Sequence, residues 1–162
     1  MTQSPNTTIH RYGAVWQLRS ETFIHRPIDQ LWPFFSDPRN LEKITPATMR
    51  FRILTPLPER AYQGLMISYR VSPMTWFRTS WLTEITAVKE GRYFVDEQRK
   101  GPYALWHHEH HFEAFEDGTR CTDIVTYRVP FGIIGRVAHC LFIRKKLLQI
   151  FSYREKMLQQ LL

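Results

Sequence analysis

The sequence lacks the features that mark several large classes of protein. Only two cysteines, Cys121 and Cys140, occur in 162 residues, and their spacing suggests neither a disulfide framework nor a metal knot, so we expect reduced, buried thiols. No apolar run approaches the roughly 18 to 20 residues that span a bilayer. The polar segment 1–8 lacks the apolar core of a signal peptide. We therefore expect a cytoplasmic protein.

Motifs of the common catalytic classes are missing as well. The chain has no P-loop, no glycine-rich dinucleotide-binding turn, no serine elbow and no Cys-X-X-Cys pair. These absences count against phosphoryl transfer, hydride transfer by a Rossmann domain and the common nucleophiles. No block rich in lysine and arginine exceeds three residues, so the net charge of +7 does not point to a nucleic acid, and we predict no such partner.

Aromatic residues are the abundant component. The 11 Phe, 7 Tyr and 5 Trp make up 14% of the chain. This is more large, flat apolar surface than a compact core of this size needs, so an enclosed pocket is expected. The length corresponds to one domain. We predict a flexible leader over residues 1–12, followed by a single ligand-binding domain over residues 13–162.

The periodicity of apolar residues predicts a mixed α+β chain. Alternation predicts a half-buried strand from Val15 to His25, and Pro27 opens a helix that ends before Asp37-Pro38. A second short helix follows, and turn signals then separate the strands of an antiparallel meander. A 3.6-residue period over the last 30 residues predicts one long terminal helix, with its apolar stripes packed against the sheet.

Two predicted hairpins determine which side chains of the segment 94–129 share a face. A two-residue turn at Asp117-Gly118 would place His108 opposite Tyr127, and the preceding turn would place Asp96 opposite His108. This inward row of acid, imidazole and phenol is expensive to bury unless its members satisfy one another or a ligand. The same face carries further side chains, namely Gln98, Trp106, His110, Phe112 and Asp123.

Four interpretations of the inward row stay open. The polar groups hydrogen-bond only to one another, or they anchor a ligand in a cavity. In the third interpretation, His108 is a general acid and base beside Asp96. In the fourth, His108 and His110, about 6.6 Å apart along one strand, hold a metal ion. Because no third ligand is evident, we predict neither a metal nor any other cofactor.

Several segments of the chain, from about Ala14 to the C-terminus, resemble the SRPBCC superfamily of START-like, helix-grip proteins. The entry into the first helix is carried by Pro27-Ile28-Asp29-Gln30-Leu31-Trp32 and Asp37-Pro38-Arg39-Asn40-Leu41. The more specific motifs are Phe94-X-Asp96-X-Gln98, Gly101-Pro102-Tyr103, Trp106-X-His108-X-His110-X-Phe112, Gly118-Thr119, Asp123-X-Val125-X-Tyr127-X-X-Pro130 and Gly132. These are similar to a branch of small bacterial ligand-binding members akin to polyketide cyclase or dehydrase-like proteins.

The resemblance implies an α+β helix-grip fold. In it, a seven-stranded antiparallel sheet is wrapped around a long C-terminal helix, with two short helices between strands 1 and 2. It also implies a hydrophobic tunnel that holds a lipid, sterol, polyketide or similar molecule. It implies no fixed chemistry, since family members include carriers, sensors and cyclases.

We therefore predict that the chain binds a hydrophobic small molecule, such as a lipid, a polyketide or an isoprenoid, with a polar His/Asp anchor. The predicted ligand-binding residues are Tyr69, Trp81, Asp96, Gln98, Trp106, His108, His110, Phe112, Asp123 and Tyr127. The alternative is a cyclase or dehydratase in which His108 is the acid/base and Asp96 its partner. Enzymatic activity, the ligand's identity and the choice between monomer and homodimer stay open.

A third hypothesis about function, besides ligand binding and catalysis, concerns the terminal helix. Its cationic residues are Arg144, Lys145, Lys146, Arg154 and Lys156. They could contact a membrane during delivery of a lipid or isoprenoid. We favour a solvated outer face, because both apolar stripes of the helix are expected to be used for packing.

Overall fold

Eight antiparallel strands form one sheet in the computed structural model, which describes residues 7–74 and 77–162. The strands are β1 (Thr7–Tyr12), β2 (Val15–Ile24), β3 (Arg52–Ile53), β4 (Met66–Met74), β5 (Phe77–Lys89), β6 (Tyr93–Lys100), β7 (Leu105–Phe115) and β8 (Gly118–Arg128). Their order across the sheet is β1-β2-β8-β7-β6-β5-β4-β3. The predicted antiparallel meander is therefore confirmed for β3 to β8. Strand β2, which precedes the short helices, pairs with β8, the last strand of the meander.

The sheet has one strand more than the seven predicted. The sequence predicts a flexible leader over residues 1–12, but Thr7–Tyr12 pairs with β2 along its whole length. Thr7 Oγ1 and Ser20 Oγ share a buried hydrogen bond of 2.8 Å across this pair. Backbone hydrogen bonds rather than alternating apolar residues hold the strand, so hydropathy did not reveal it. Residues 1–6 of the predicted leader lie outside the described residues.

Two short helical segments and one further turn separate β2 from β3. Helix α1 (Ile28–Ser36) begins directly after Pro27, whose fixed φ suits a helix start. A 3-10 helix over Pro38–Glu42 stands where the second short helix is predicted, and another 3-10 turn covers Ala47–Met49. Asp37 begins the first 3-10 helix by accepting a hydrogen bond of 3.0 Å from the backbone N–H of Arg39.

The chain ends in a long helical segment that packs inside the curve of the sheet. Its parts are α2 (Gly132–Ala138), a π-helical turn (His139–Ile143) and α3 (Arg144–Leu161). Leu147 and Phe151 of α3 belong to the same buried cluster as the β8 residue Val125, and Leu158 belongs to the same cluster as Leu31 of α1. This arrangement is the α+β helix-grip fold that the sequence predicts. None of the helices within the described ranges is both long and apolar enough to cross a bilayer.

The two cysteines have different environments. Cys121 on β8 is buried, and burial raises the pKa of its thiol to about 12. Cys140 lies on the π-helical turn and is exposed, so the expectation of two buried thiols is wrong for this residue. Both thiols are free, as predicted.

Candidate functional site

A cavity of about 220 Å³ lies between the inner face of the sheet, α3 and the segment 34–51. Much of its wall is aromatic, with contributions from Phe34, Phe35, Phe51, Tyr69, Trp81, Phe94, Tyr103, Trp106 and Phe151. The volume is below the range of about 300–1,000 Å³ that is usual for sites of drug-sized ligands. The space therefore suits a compact molecule rather than a long extended one.

The aromatic rings of the wall hold one another in place. The rings of Trp81 and Trp106 are perpendicular, with centroids 5.2 Å apart, and Tyr103 lies 4.7 Å from Trp106. Tyr69 stacks on Trp81 at 5.9 Å. Such edge-to-face and offset contacts are favourable beyond the area they bury, so this part of the wall is preformed.

Several polar side chains in the cavity wall are satisfied by the protein itself. The amide of Asn40 donates to the Phe34 carbonyl at 2.9 Å. The hydroxyls of Tyr69 and Thr83 share a hydrogen bond of 3.0 Å. Burial raises the pKa of Tyr69, so its hydroxyl stays protonated. These groups stabilise the wall and leave the ionisable residues as the distinctive polar feature of the cavity.

A buried cluster of ionisable side chains borders the cavity. It consists of Asp96 on β6, His108 and His110 on β7, Asp123 on β8 and Arg154 on α3. Strand pairing assembles the first four, because Asp96 lies opposite His108 and His110 lies opposite Asp123. Residues two apart on a strand share a face, so both imidazoles point inward, with ring centroids 3.8 Å apart.

His110 is held between the two carboxylates of this cluster. Its Nε2 is 2.9 Å from Asp96 Oδ2, and its Nδ1 is 2.8 Å from Asp123 Oδ1. Burial opposes a charge on the ring, but the hydrogen bonds to Asp123 and Asp96 outweigh burial and raise the pKa of His110 above 6.5. Nη2 of Arg154 lies 3.2 Å from Nδ1. Because the distances assign the Nδ1 proton to Asp123, this guanidinium is a charged neighbour there and not a donor.

His108 belongs to the same cluster but is kept neutral. Burial and the adjacent charge of His110 lower its pKa below 6.5, against the attraction of the carboxylates. The shorter of its two carboxylate contacts, 3.1 Å from Nε2 to Asp123 Oδ1, assigns the single ring proton to Nε2. Its Nδ1, 3.4 Å from Asp96 Oδ2, is then unprotonated. A neutral imidazole in a cavity wall can accept a hydrogen bond or a proton from a bound molecule.

Two cations balance the two carboxylates. Burial raises the pKa of Asp123, but Arg154 and the two histidines together hold it well below 3.8. The pKa of Asp96 is lowered against burial by the same neighbours. Nε of Arg154 lies 3.3 Å from Asp123 Oδ2. With His110 and Arg154 charged and His108 neutral, the cluster carries no net charge, which limits the free-energy cost of burying it.

The same cluster includes a set of potential metal ligands. Asp96, His108 and His110 each offer one ligand atom, and these atoms lie within 4.8 Å of one another. A metal-bound histidine must be deprotonated, whereas His110 is stabilised as a cation. Arg154 adds a positive charge beside the same ring. Among the described residues, these three could hold a metal ion only if His110 lost its proton.

Six of the ten predicted ligand-binding residues line the cavity, namely Tyr69, Trp81, Asp96, Trp106, His108 and His110. Gln98 does not line it. Instead, the Gln98 side-chain amide donates to the Tyr103 carbonyl at 2.7 Å and accepts from the Tyr103 N–H at 3.2 Å, which holds the β6–β7 turn. Phe112 also lies outside the wall and packs against Phe35 of α1, with ring centroids 4.7 Å apart.

The remaining two predicted residues, Asp123 and Tyr127, do not line the cavity but contact other buried residues. Asp123 contacts the cavity-lining histidines and Arg154 but is not itself in the lining. Tyr127 is fully buried, and its hydroxyl forms a hydrogen bond of 2.8 Å with Nε2 of His139 in the π-helical turn. The predicted row of Asp96, His108 and Tyr127 is therefore wrong at its third member.

The error in that row comes from the register of the β7–β8 hairpin. Phe115 pairs with Gly118, so the turn is Glu116-Asp117 and His108 lies opposite Val125. Gly118 is used for another purpose, because a Cβ there would lie 2.3 Å from the Ile24 carbonyl oxygen at the end of β2. The shift is two residues, which preserves the facing of every side chain. The predicted pairing of Asp96 with His108 is confirmed.

The principal residue that sequence reasoning missed is Arg154. Its cationic neighbours in the sequence predict a place on the solvated outer side of the terminal helix, but Arg154 is only 8% exposed. The spacing contains a signal, since Leu147, Phe151, Arg154 and Leu158 follow one another at helical intervals on one buried face. An arginine within such a stripe indicates a buried acidic partner. The lining segment 34–51 carries no comparable signal.

The chain matches one known protein family. A family model described as polyketide cyclase/dehydrase and lipid transport matches residues 24–146, which is well over half of the chain. The search of curated proteins yields no significant sequence match.

Solved structures resemble the whole fold at low sequence identity. Protein Ms6760 from Mycobacterium smegmatis superposes with a TM-score of 0.66 and 16% identity, covering 96% of this chain and 99% of the other. Protein TTHA0849 from Thermus thermophilus gives 0.64 and 17%, covering 89% and 94%. Ara h 8.0201 gives 0.55 and 14%, covering 88% and 96%. At these identities the likeness shows the fold alone.

Proposed function

Because the chain belongs to the polyketide cyclase/dehydrase and lipid transport family, we propose that it binds a compact hydrophobic molecule with one polar group. The observation that carries this proposal is the aromatic cavity of about 220 Å³ bordered by a buried His/Asp cluster. An unfilled space of this size is unfavourable without an occupant, and the ionisable groups beside it offer an occupant polar partners.

The wall and the volume favour a flat ligand of one or two rings. Trp81 and Trp106 present ring surfaces against which a planar molecule stacks. A fully extended long acyl chain would exceed the cavity, so we favour a compact polyketide-like or isoprenoid-like molecule over a long-chain lipid.

The polar group of the ligand is proposed to contact His108 and Asp96. His108 Nδ1 can accept a hydrogen bond, and the Asp96 carboxylate accepts another. Both residues lie in the cavity lining. A ligand hydroxyl donates one hydrogen bond and can give it to either acceptor, whereas a ligand carboxylate would be repelled by Asp96.

Calorimetric titration with 2-naphthol tests the proposal, because this probe has two fused rings and one hydroxyl. We expect the variant Ala61→Phe to weaken its binding at least about tenfold, since Ala61 lines the cavity and the added ring fills it. The matched control is Ala114→Phe, at an exposed position on β7, which should leave affinity within about twofold. Octanoate serves as the flexible, anionic comparison and is expected to bind more weakly.

Binding of neither probe to the parent protein would contradict the proposal. Equal binding of 2-naphthol to the parent protein and to Ala61→Phe would also contradict it, because the probe would then lie elsewhere. Native mass spectrometry of protein purified without added ligand provides an independent measurement. We expect a co-purifying small molecule that Ala61→Phe retains less than Ala114→Phe does.

A second candidate function is favoured by one specific observation, the opposite pKa shifts of the two adjacent histidines. His108 is neutral and can take a proton, whereas His110 is charged and can supply one. Pairs of titratable groups with separated pKa values are suited to general acid–base chemistry. In this proposal, His108 removes a proton from an acidic carbon of a polyketide-like substrate, as in cyclisation followed by dehydration.

The variant His108→Gln separates this enzymatic candidate from simple binding. Gln retains a hydrogen-bonding side chain but cannot act as a base near neutral pH. If the protein is a cyclase, turnover of a poly-β-carbonyl probe should fall by about two orders of magnitude or more, with affinity for 2-naphthol changed only a few fold. Unchanged consumption of the probe by His108→Gln would refute the role of His108.

A further inference from the structure

An apolar surface is exposed at the start of the terminal helical segment. Its members are Phe131, Ile133, Ile134, Val137, Leu141 and Phe142, and we call this surface the 131–142 patch. The three side chains at its start are 80%, 75% and 76% exposed, respectively. The apolar stripes of the terminal helix are expected to pack against the sheet, but Ile134, Val137 and Leu141, which belong to one of these stripes, are exposed, so the expectation is wrong for them. Single exposed apolar residues are common, but a contiguous group marks an interaction surface.

Contacts on the opposite side of the same helix keep the 131–142 patch facing solvent. Gly135 is buried so close to the preceding turn that a Cβ there would lie 1.9 Å from the Pro130 carbonyl oxygen. His139 is 2% exposed, stacks on Trp16 at 4.1 Å and hydrogen-bonds to Tyr127 at 2.8 Å. Helical spacing puts the apolar side chains of α2 on the side facing away from these contacts. The patch is therefore held in solvent by the fold.

Cationic residues, and no acidic ones, accompany the patch. No Asp or Glu occurs anywhere between residues 124 and 154. Arg128, Arg136, Arg144 and Lys145 are exposed within or beside the patch. Arg144 and Lys145 also belong to the cations of the earlier membrane interpretation, whereas Arg154 of that set is buried in the His/Asp cluster. An outward apolar helix face whose own segment carries exposed cations and no acidic residue matches an anionic lipid surface.

We propose that the 131–142 patch docks the protein on an anionic lipid bilayer. The apolar side chains enter the boundary between headgroups and acyl chains, and the flanking arginines and lysine contact lipid phosphates. A second copy of this chain is a poorer occupant. A two-fold interface through the patch would face Arg136 and Arg144 with the same cations of the partner, without any acidic residue of this segment to pair with them.

Vesicle flotation of the full-length chain tests this proposal. One set of vesicles is pure phosphatidylcholine, and the other contains about 30% phosphatidylserine. We expect binding to the second set that is at least about tenfold stronger and that weakens with added salt. The double variant Ile133→Ser/Ile134→Ser should lose binding at least about tenfold, because two exposed apolar anchors are removed.

Charge is tested by a matched pair of double variants. Arg136→Gln/Arg144→Gln should weaken binding to the anionic vesicles about tenfold or more. Arg26→Gln/Arg52→Gln has the same net charge but alters exposed arginines outside the terminal helical segment, and should retain most of the binding. All the altered residues are exposed, and unchanged thermal unfolding checks that each variant is folded.

Three results would overturn the proposal. The first is absence of binding to the anionic vesicles. The second is equal loss of binding in the two arginine double variants, which would indicate general charge attraction. The third is a parent protein that sediments as a dimer in centrifugation and an Ile133→Ser/Ile134→Ser variant that sediments as a monomer, with no vesicle binding by either. That outcome would assign the patch to a second copy of the chain.

Discussion

His108 and His110 stand two residues apart on β7 with ring centroids only 3.8 Å apart, yet the protein shifts their pKa values in opposite directions. His110 has close contacts of 2.9 Å and 2.8 Å to both carboxylates. The His108 contacts are longer, at 3.4 Å and 3.1 Å. Burial opposes the charge of both rings, so the closer carboxylates decide which ring keeps it.

The raised pKa of His110 predicts a specific loss of stability in alkaline solution. Its contribution to the free energy of unfolding is fully present below its ordinary pKa of 6.5 and is lost as the pH rises through the raised value. The stability difference between the parent protein and His110→Gln should therefore be largest below pH 6.5 and shrink as the pH is raised above 6.5. Urea unfolding at several pH values measures this difference.

The control for this titration is His10→Gln, at an exposed position on β1. Its unfolding curve should follow that of the parent protein throughout. A stability difference for His110→Gln that grows with pH would show that the ring is not stabilised as a cation.

The contact between Arg154 and Asp123 predicts strong coupling between these residues. Removing one partner leaves the other charge buried without its main counter-ion, so Arg154→Met and Asp123→Asn should each lower the free energy of unfolding by about 3 kcal/mol or more. The double variant should lose at least about 1 kcal/mol less than the sum of the two losses. Denaturant unfolding of the four proteins at neutral pH measures the cycle.

The exposed pair of Arg19 and Glu21 provides the comparison, since Arg19 Nη2 lies 2.6 Å from Glu21 Oε1 in solvent. Glu21→Gln should change stability by less than about 1 kcal/mol. Strict additivity in the Arg154 and Asp123 cycle would contradict the buried pairing.

Tyr127 predicts a loss of stability without a loss of ligand binding. Its hydroxyl contacts His139 and does not line the cavity. Tyr127→Phe should lower the free energy of unfolding by about 1 to 2 kcal/mol, because a buried polar atom of His139 loses its partner. Affinity for 2-naphthol should stay within about threefold of the parent value. A tenfold loss of affinity with unchanged stability would place Tyr127 in the binding site after all.

The close packing at Gly135 predicts that Gly135→Ala lowers stability, which is opposite to the effect of helix propensity. Alanine normally stabilises a helix by about 1 kcal/mol relative to glycine. Gly135→Ala should instead destabilise the protein by more than about 2 kcal/mol, because its Cβ would lie 1.9 Å from the Pro130 carbonyl oxygen. Thermal unfolding measures the change, and a stabilised variant would show that the start of α2 can move away from this turn.

Inward facing of the histidines was predictable, whereas their partners were only partly so. Trp106 and Phe112 share the face of His108 and His110, so the two-residue period of a strand assigned all four together. Asp96 was matched to His108 because the β6–β7 turn is short. The Asp123 pairing shifted by two residues, because Gly118 is required by the close approach to β2 and not by the turn. A contact between residues distant in the sequence, such as this one, produces no recognisable local sequence pattern.

The sequence by itself determined the antiparallel meander, the terminal helix and the inward facing of the histidine strand, because periodicity and turn residues are local properties of the chain. The helix-grip architecture and the family followed from the resemblance of its motifs to known members. Only the tertiary structure decided that Arg154 joins the buried carboxylates while Ile133 and Ile134 remain in solvent. Both depend on how the terminal helical segment is rotated against the sheet. That rotation is set by the packing of His139 and Leu158 against residues distant in the sequence, together with the close approach of Gly135 to the Pro130 turn.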